Sequence, residues 1–98
     1  MATRRELREI IEKQKYRCAG TGIELTPASS SLDHRFPKSL GGSDDVQNLH
    51  IVHPLINRAK GDMPWDDFVA MCNAVARIHV DTGAEWWKHK RAGDAQDN

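Results

Sequence analysis

Between residues 31 and 62 the chain reads SLDHRFPKSLGGSDDVQNLHIVHPLINRAKGD, a segment crowded with side chains able to do chemistry. Asp33 stands next to His34, an Asn-Leu step begins at Asn48, and Asn57 precedes Lys60 by three residues. An imidazole, with an unperturbed pKa of about 6.5, can take up a proton near neutral pH. A carboxylate and an amide carbonyl are hard oxygen donors, suited to Mg²⁺ or Mn²⁺ with water filling the remaining positions. Arg35, Arg58 and Lys60 lie beside these groups and are natural contacts for phosphate, Lys60 foremost. Hydrolysis of a phosphodiester needs an activated water on one side, a stabilised leaving oxygen on the other, and a counter-charge for the phosphate.

Such groups act together only if the backbone gathers them. The pattern predicts two short strands, 32–36 and 46–52, separated by a loop too wide for a tight hairpin turn. Pro54 suits a first helical turn, so 55–60 reads as a short helix ended by Gly61. The order strand, wide loop, strand, short helix brings Asp33, His34 and Asn57 toward one point. Upstream, Thr3 and Glu6 form a capping box ahead of Leu7, Ile10 and Ile11, which predicts an amphipathic helix over 3–17. The turn-rich CAGTGIELTPASS follows, with a short hairpin expected around Ile23 and Leu25. Downstream, Pro64 opens a longer helix on which Trp65, Phe68, Val69, Cys72, Val75, Ala76 and His79 share one stripe, with Gly83 as its stop. This stripe is expected to supply most of the core, with Cys72 and His79 packed in it. The polar tail, 92–98, is expected to fray. The fold class expected is α+β, with residues 1–98 as one domain.

The totals set limits on function. Ninety-eight residues with 39% hydrophobic content suit one small domain. No apolar run approaches the roughly 20 residues of a membrane span, and the N-terminus lacks the apolar core of a secretory signal. The expectation is a soluble, cytoplasmic protein with no membrane partner. Cys18 and Cys72 are far apart, so they supply neither a disulfide framework nor a four-thiolate zinc site. Fourteen basic and fourteen acidic residues give a formal charge of zero. Yet Arg4, Arg5, Arg8, Lys13, Lys15 and Arg17 cluster at the start and Lys88, Lys90 and Arg91 near the end, so the zero sum is compatible with a basic face.

Taken together, LDHRFPKSLGG, NLHIV and NRAKGD resemble the motif of the HNH endonucleases, whose fold is a ββα-metal hairpin and helix. CAGTGIEL is similar to the C-x-x-T-G lead-in that many members carry before the first strand. The resemblance spans 16–62, and several residue types agree at compatible spacings, which makes it more specific than one short pattern. It implies that His34 is the general base and that Asp33 and Asn57 hold one divalent cation, Mg²⁺ or Mn²⁺, with Zn²⁺ or Ni²⁺ as alternatives. It further implies that Asn48 braces the wide loop and helps orient the His34 ring.

The chain departs from the family at the two C-x-x-C pairs that bind a structural zinc in many relatives. Those positions read Cys18 and Thr21, then His53 and Ile56. Four ligands cannot be assembled from them, so no structural zinc is expected, and Leu55, Ile56 and the Trp65 helix are expected to pack in its place. Asn57 stands where other members have His, which favours hard cations. His50 shares a strand face with Asn48 and is open to a phosphate contact or a supporting role. Trp86 and Trp87, followed by Lys88, Lys90 and Arg91, are open to base stacking or to packing on the domain. The N-terminal basic run is either a solvated helix face or a phosphate-binding one.

The resulting expectation is a small HNH endonuclease that nicks or cuts DNA, leaving by family analogy a 5′-phosphate and a 3′-hydroxyl. Stand-alone short members resemble phage nucleases, some of which act beside DNA-packaging proteins, so such proteins join DNA as expected partners. The rival reading is a catalytically weak HNH-like module that grips DNA or a packaging partner.

Overall fold

The computed structural model describes residues 2–79 and 81–88; the expected fraying at 92–98 and the basic pair Lys90 and Arg91 lie outside them. Helix α1, Arg4–Lys13, starts where the capping box predicts. Thr3 Oγ1 accepts from the Glu6 backbone N–H at 3.1 Å, and the Glu6 carboxylate accepts from the Thr3 N–H at 2.8 Å. The helix ends at Lys13 rather than near Arg17, because Lys15 and Tyr16 turn left-handed with φ of 56° and 59°. That turn delivers the Gln14 amide to Ile51, accepting from its N–H at 2.9 Å and donating to its carbonyl at 2.8 Å. A side chain thereby satisfies a strand edge that a third strand would otherwise cover.

The turn-rich segment does form a short hairpin. Arg17 pairs with Glu24, Cys18 N–H donates to the Ile23 carbonyl, and Leu25 N–H donates to the Tyr16 carbonyl. Strands β1, Ser31–His34, and β2, Leu49–Val52, then pair antiparallel, with Asp33 opposite His50 and His34 opposite Leu49. Both are shorter than the hydrophobic pattern predicted, since Val46–Asn48 closes the loop as a 3₁₀ turn instead of extending the second strand. Helix α2, Pro54–Lys60, follows with proline in its first turn and Gly61 at its end at φ 56°. Helix α3, Trp65–Ile78, is tied to the loop by the Trp65 N–H, which donates to the Arg35 carbonyl at 2.8 Å. Among the described residues three α-helices and a two-stranded sheet give the expected α+β architecture, and no helix there is long and apolar enough to cross a membrane.

The core does not sit where the helical stripe placed it. Cys18, Leu25, Ile51 and Val52 are its buried centre, with Ile10, Ile11, Ile23, Ile56 and Trp65 packed around them. On α3 only Phe68 is buried, while Val69, Cys72, Val75, Ala76 and His79 are exposed, as is Ile78. A sheet of two four-residue strands can cover the first turns of a helix about 21 Å long, at 1.5 Å per residue, and not the rest. Helix α3 therefore docks through Trp65 and Phe68 and runs on past the domain, its C-cap falling at His79 well before Gly83. The stripe is real as a pattern, but burial needs a surface opposite it.

Candidate functional site

Asp33 and His34 are consecutive on β1, so alternation sends their side chains to opposite faces. Asp33 points into the domain and is 4% exposed. Across the ladder His50, 1% exposed, brings Nε2 to 2.7 Å from Asp33 Oδ2. From the last turn of α2, Lys60 Nζ donates to Asp33 Oδ1 at 3.1 Å and to the His34 carbonyl at 3.0 Å. Burial alone would raise the Asp33 pKa; the His50 and Lys60 hydrogen bonds and the Lys60 charge outweigh it and hold the carboxyl below its ordinary range. The other ring nitrogen of His50, Nδ1, is buried and meets no hydrogen-bond partner among the described residues, while the ring lies edge-on to Trp65 at 4.5 Å.

Lys60 therefore does not do what its sequence position suggested. Expected as the leading phosphate contact, it is 3% exposed, with its ammonium engaged by Asp33 and a backbone carbonyl. Arg35 and Arg58 are exposed, as a phosphate contact requires.

His34 stays at the surface, its side chain 24% exposed, and its Nε2 lies 2.8 Å from Asp44 Oδ1. Lys38 Nζ holds the other oxygen of Asp44 at 2.9 Å. The hydrogen bonds from His34 and Lys38 pull the Asp44 carboxyl down to about 2. That carboxylate only accepts, so Nε2 must carry the hydrogen, and in the neutral ring the lone pair is on Nδ1.

The loop that delivers Asp44 explains the paired glycines. Gly41 takes φ 99°, and a Cβ on Gly42 would lie 1.8 Å from the Phe36 carbonyl oxygen, so only glycine allows the loop to fold back on itself. Asn48 clamps the fold: Oδ1 accepts from Phe36 N–H at 2.8 Å, while Nδ2 donates to the Phe36 carbonyl at 3.0 Å and the Ser43 carbonyl at 2.8 Å. The loop-bracing expected of Asn48 is thus present, but no hydrogen bond joins it to His34; the contact on the ring is Asp44.

Asn57, on α2, donates Nδ2 to Ser31 Oγ at 2.6 Å and to the Leu32 carbonyl at 3.2 Å. Its amide orientation is set by those two acceptors, which leaves Oδ1 as the available donor atom for a ligand. Asp33, His34, Asn57, Lys38, Lys60 and Asp62 all contribute to the walls of one cleft of about 140 Å³, with the Asp33 carboxylate turned inward to His50 and Lys60 and the His34 ring turned to Asp44. A wider groove of about 590 Å³ is lined by Glu6, Glu9, Lys13, Gln14 and Arg35 among others; its carboxylates suit it less well to an anionic substrate.

Asp33 and Asn57 present only oxygen, which fits a hard divalent cation and not a soft one; among the described residues no three His, Cys, Asp or Glu side chains cluster as a metal site. The Lys60 ammonium already serves Asp33 as a cation, and like-charge repulsion sets it in competition with any metal ion there.

At the four positions that carry zinc ligands in many relatives of the resembled family, Cys18 Sγ accepts from the N–H groups of Gly20 and His53, both at 3.4 Å. Burial alone would raise the Cys18 pKa, but hydrogen bonds from Thr21, His53 and Gly20 bring it below the ordinary thiol value. Ile56 packs with Trp65 against the core, and a Cβ on Gly20 would meet the Trp65 ring at 2.8 Å. His53 caps α2, its Nδ1 accepting from the Leu55 N–H at 3.1 Å. Trp86 stands edge-on to His53 at 5.2 Å, so of the two readings for this tryptophan it takes the packing one, while Trp87 is exposed.

Two contacts were missed from the sequence. His50 could have been paired with Asp33 once the strand register was known, and Asp44 needed the path of the loop. A scan of the chain against protein-family models finds no match, and comparison with curated proteins finds none either.

Proposed function

We propose that this chain is a metal-dependent endonuclease that hydrolyses DNA phosphodiester bonds, with His34 as general base. The observation that carries the reading is a partly exposed imidazole, with Nε2 fixed by a carboxylate and Nδ1 free to take a proton, on the wall of the cleft that Asp33 and Asn57 also line. In this reading Nδ1 accepts the proton of a water attacking phosphorus. Asp33 and Asn57 would hold Mg²⁺ or Mn²⁺, which supplies charge neutralisation for the phosphate and the leaving oxygen. Lys38 rims the cleft at 58% exposure, and exposed Arg35 and Arg58 supply further contacts for the DNA backbone. Asn48 keeps the loop closed so that the ring and the oxygen donors stay in register.

One observation favours the rival, a module that grips DNA or a packaging partner without cutting. The Lys60 ammonium occupies Asp33 and competes with the metal ion. Supercoiled plasmid incubated with protein and Mg²⁺ or Mn²⁺, with EDTA, and with His34→Ala separates the two. Metal-dependent nicking lost in the variant supports the enzyme. Plasmid that is retarded on a gel but stays intact supports the binder.

A further inference from the structure

We infer that Asp44 is the positioning residue of His34, selecting the tautomer and ring angle that leave Nδ1 facing the reaction, and that Lys38 holds Asp44 in place to do so. The inference rests on the endonuclease reading for its consequence and on geometry for its substance.

Four observations carry it. The Asp44 Oδ1 to His34 Nε2 distance is 2.8 Å, and among the described residues this is the side-chain hydrogen bond on that ring. Lys38 fixes the second carboxylate oxygen at 2.9 Å, so the group is held at both ends. The loop reaches this position only through the left-handed Gly41 and the backbone contact at Gly42, and Asn48 ties its flanks at Phe36 and Ser43. The neighbouring Asp45 is exposed and its side chain makes no cap to the following turn, so the arrangement singles out one of two adjacent aspartates. An imidazole with one nitrogen bonded to a carboxylate cannot swap tautomers without losing that bond, and the negative charge stabilises the imidazolium that forms on proton uptake. Asp44 touches neither water nor phosphate in this scheme; it acts through the ring.

The experiment compares wild type, Asp44→Ala, Asp44→Asn, Lys38→Met and Asp45→Ala. Plasmid-nicking kinetics are read beside ¹⁵N spectra of the His34 ring at about pH 8, above the ordinary histidine range. Asp44→Ala is expected to lower turnover by about 10- to 100-fold with DNA affinity unchanged, and to shift the ring away from the Nε2–H tautomer. Asp44→Asn retains an acceptor and should keep the tautomer with intermediate turnover; Lys38→Met should lose less; Asp45→Ala should match wild type. Should Asp44→Ala fail to fold, Asp44→Asn and Lys38→Met decide by the same two readouts. Asp44→Ala turnover within about twofold of wild type, or an unshifted tautomer in that variant, overturns the inference. If wild type does not nick DNA at all, the endonuclease reading fails, and the ring spectrum still decides whether Asp44 holds His34.

Discussion

Replacing Lys60 with methionine tests the least expected contact in the site. Methionine approximates the lysine stem in shape but carries no charge, so the substitution isolates the ammonium. The side chains of Lys60 and Asp33 are 1% and 5% exposed and lie 3.1 Å apart, which makes this a buried pair rather than a solvent-screened one. Lys60→Met leaves the Asp33 carboxylate in low dielectric with only His50 as a partner and takes a donor from the His34 carbonyl. Breaking such a pair from one side costs about 3–5 kcal/mol. At about 4–8 °C per kcal/mol for a domain of this size, Tm should fall by roughly 12–40 °C. Urea unfolding followed by circular dichroism, in EDTA at neutral pH, measures the loss directly. The double variant Asp33→Asn with Lys60→Met removes both charges and should recover most of it. The gap between Lys60→Met and wild type also has a pH signature. In wild type the Asp33 pKa is depressed, so its stabilisation is present above the unfolded value of about 3.9 and is lost as pH falls through the folded one. In the variant, burial is less opposed and the neutral acid is favoured, so the penalty fades as pH falls and the two curves converge toward acid. A loss below about 1 kcal/mol at neutral pH would mean that the pair is worth no more than a surface ion pair, and the reasoning from burial would be wrong.

Gly42→Ala places a methyl against the Phe36 carbonyl; it should destabilise the domain by about 1–3 kcal/mol in thermal unfolding and depress nicking more than it depresses DNA binding, because the displaced loop carries Asp44. Burial depresses the His53 pKa, so the folded state takes up fewer protons than the unfolded chain and stability should fall as pH drops below about 6.5, levelling once the folded value is passed. His53→Asn keeps a capping acceptor that does not titrate, and a pH series of urea midpoints should show that dependence removed; an unchanged slope would place its origin in another group.

The local chemistry of this chain was readable from its residues. Thr3 and Glu6 announced a capped helix, Pro54 and Gly61 bracketed the short one, and the order of elements put Asp33, His34 and Asn57 along one cleft. Each of these depends on near neighbours in sequence or on a motif whose spacing encodes a turn. What the sequence could not supply was the identity of partners across space. The stripe on α3 looked like core because periodicity reports which face is apolar, not whether a two-stranded sheet is large enough to cover it. Lys60 looked like a phosphate contact because a cation beside an acidic site has two possible partners, and only the packing of α2 against β1 turned its ammonium inward to Asp33. Asp44 looked like one of two equivalent loop aspartates until two glycines and Asn48 bent the loop to bring it, and not Asp45, within 2.8 Å of His34. Residue type and spacing determined which chemistry was available, while the fold decided which charges met, because an ion pair or a hydrogen bond depends on ångström distances and burial that the order of residues along the chain does not contain.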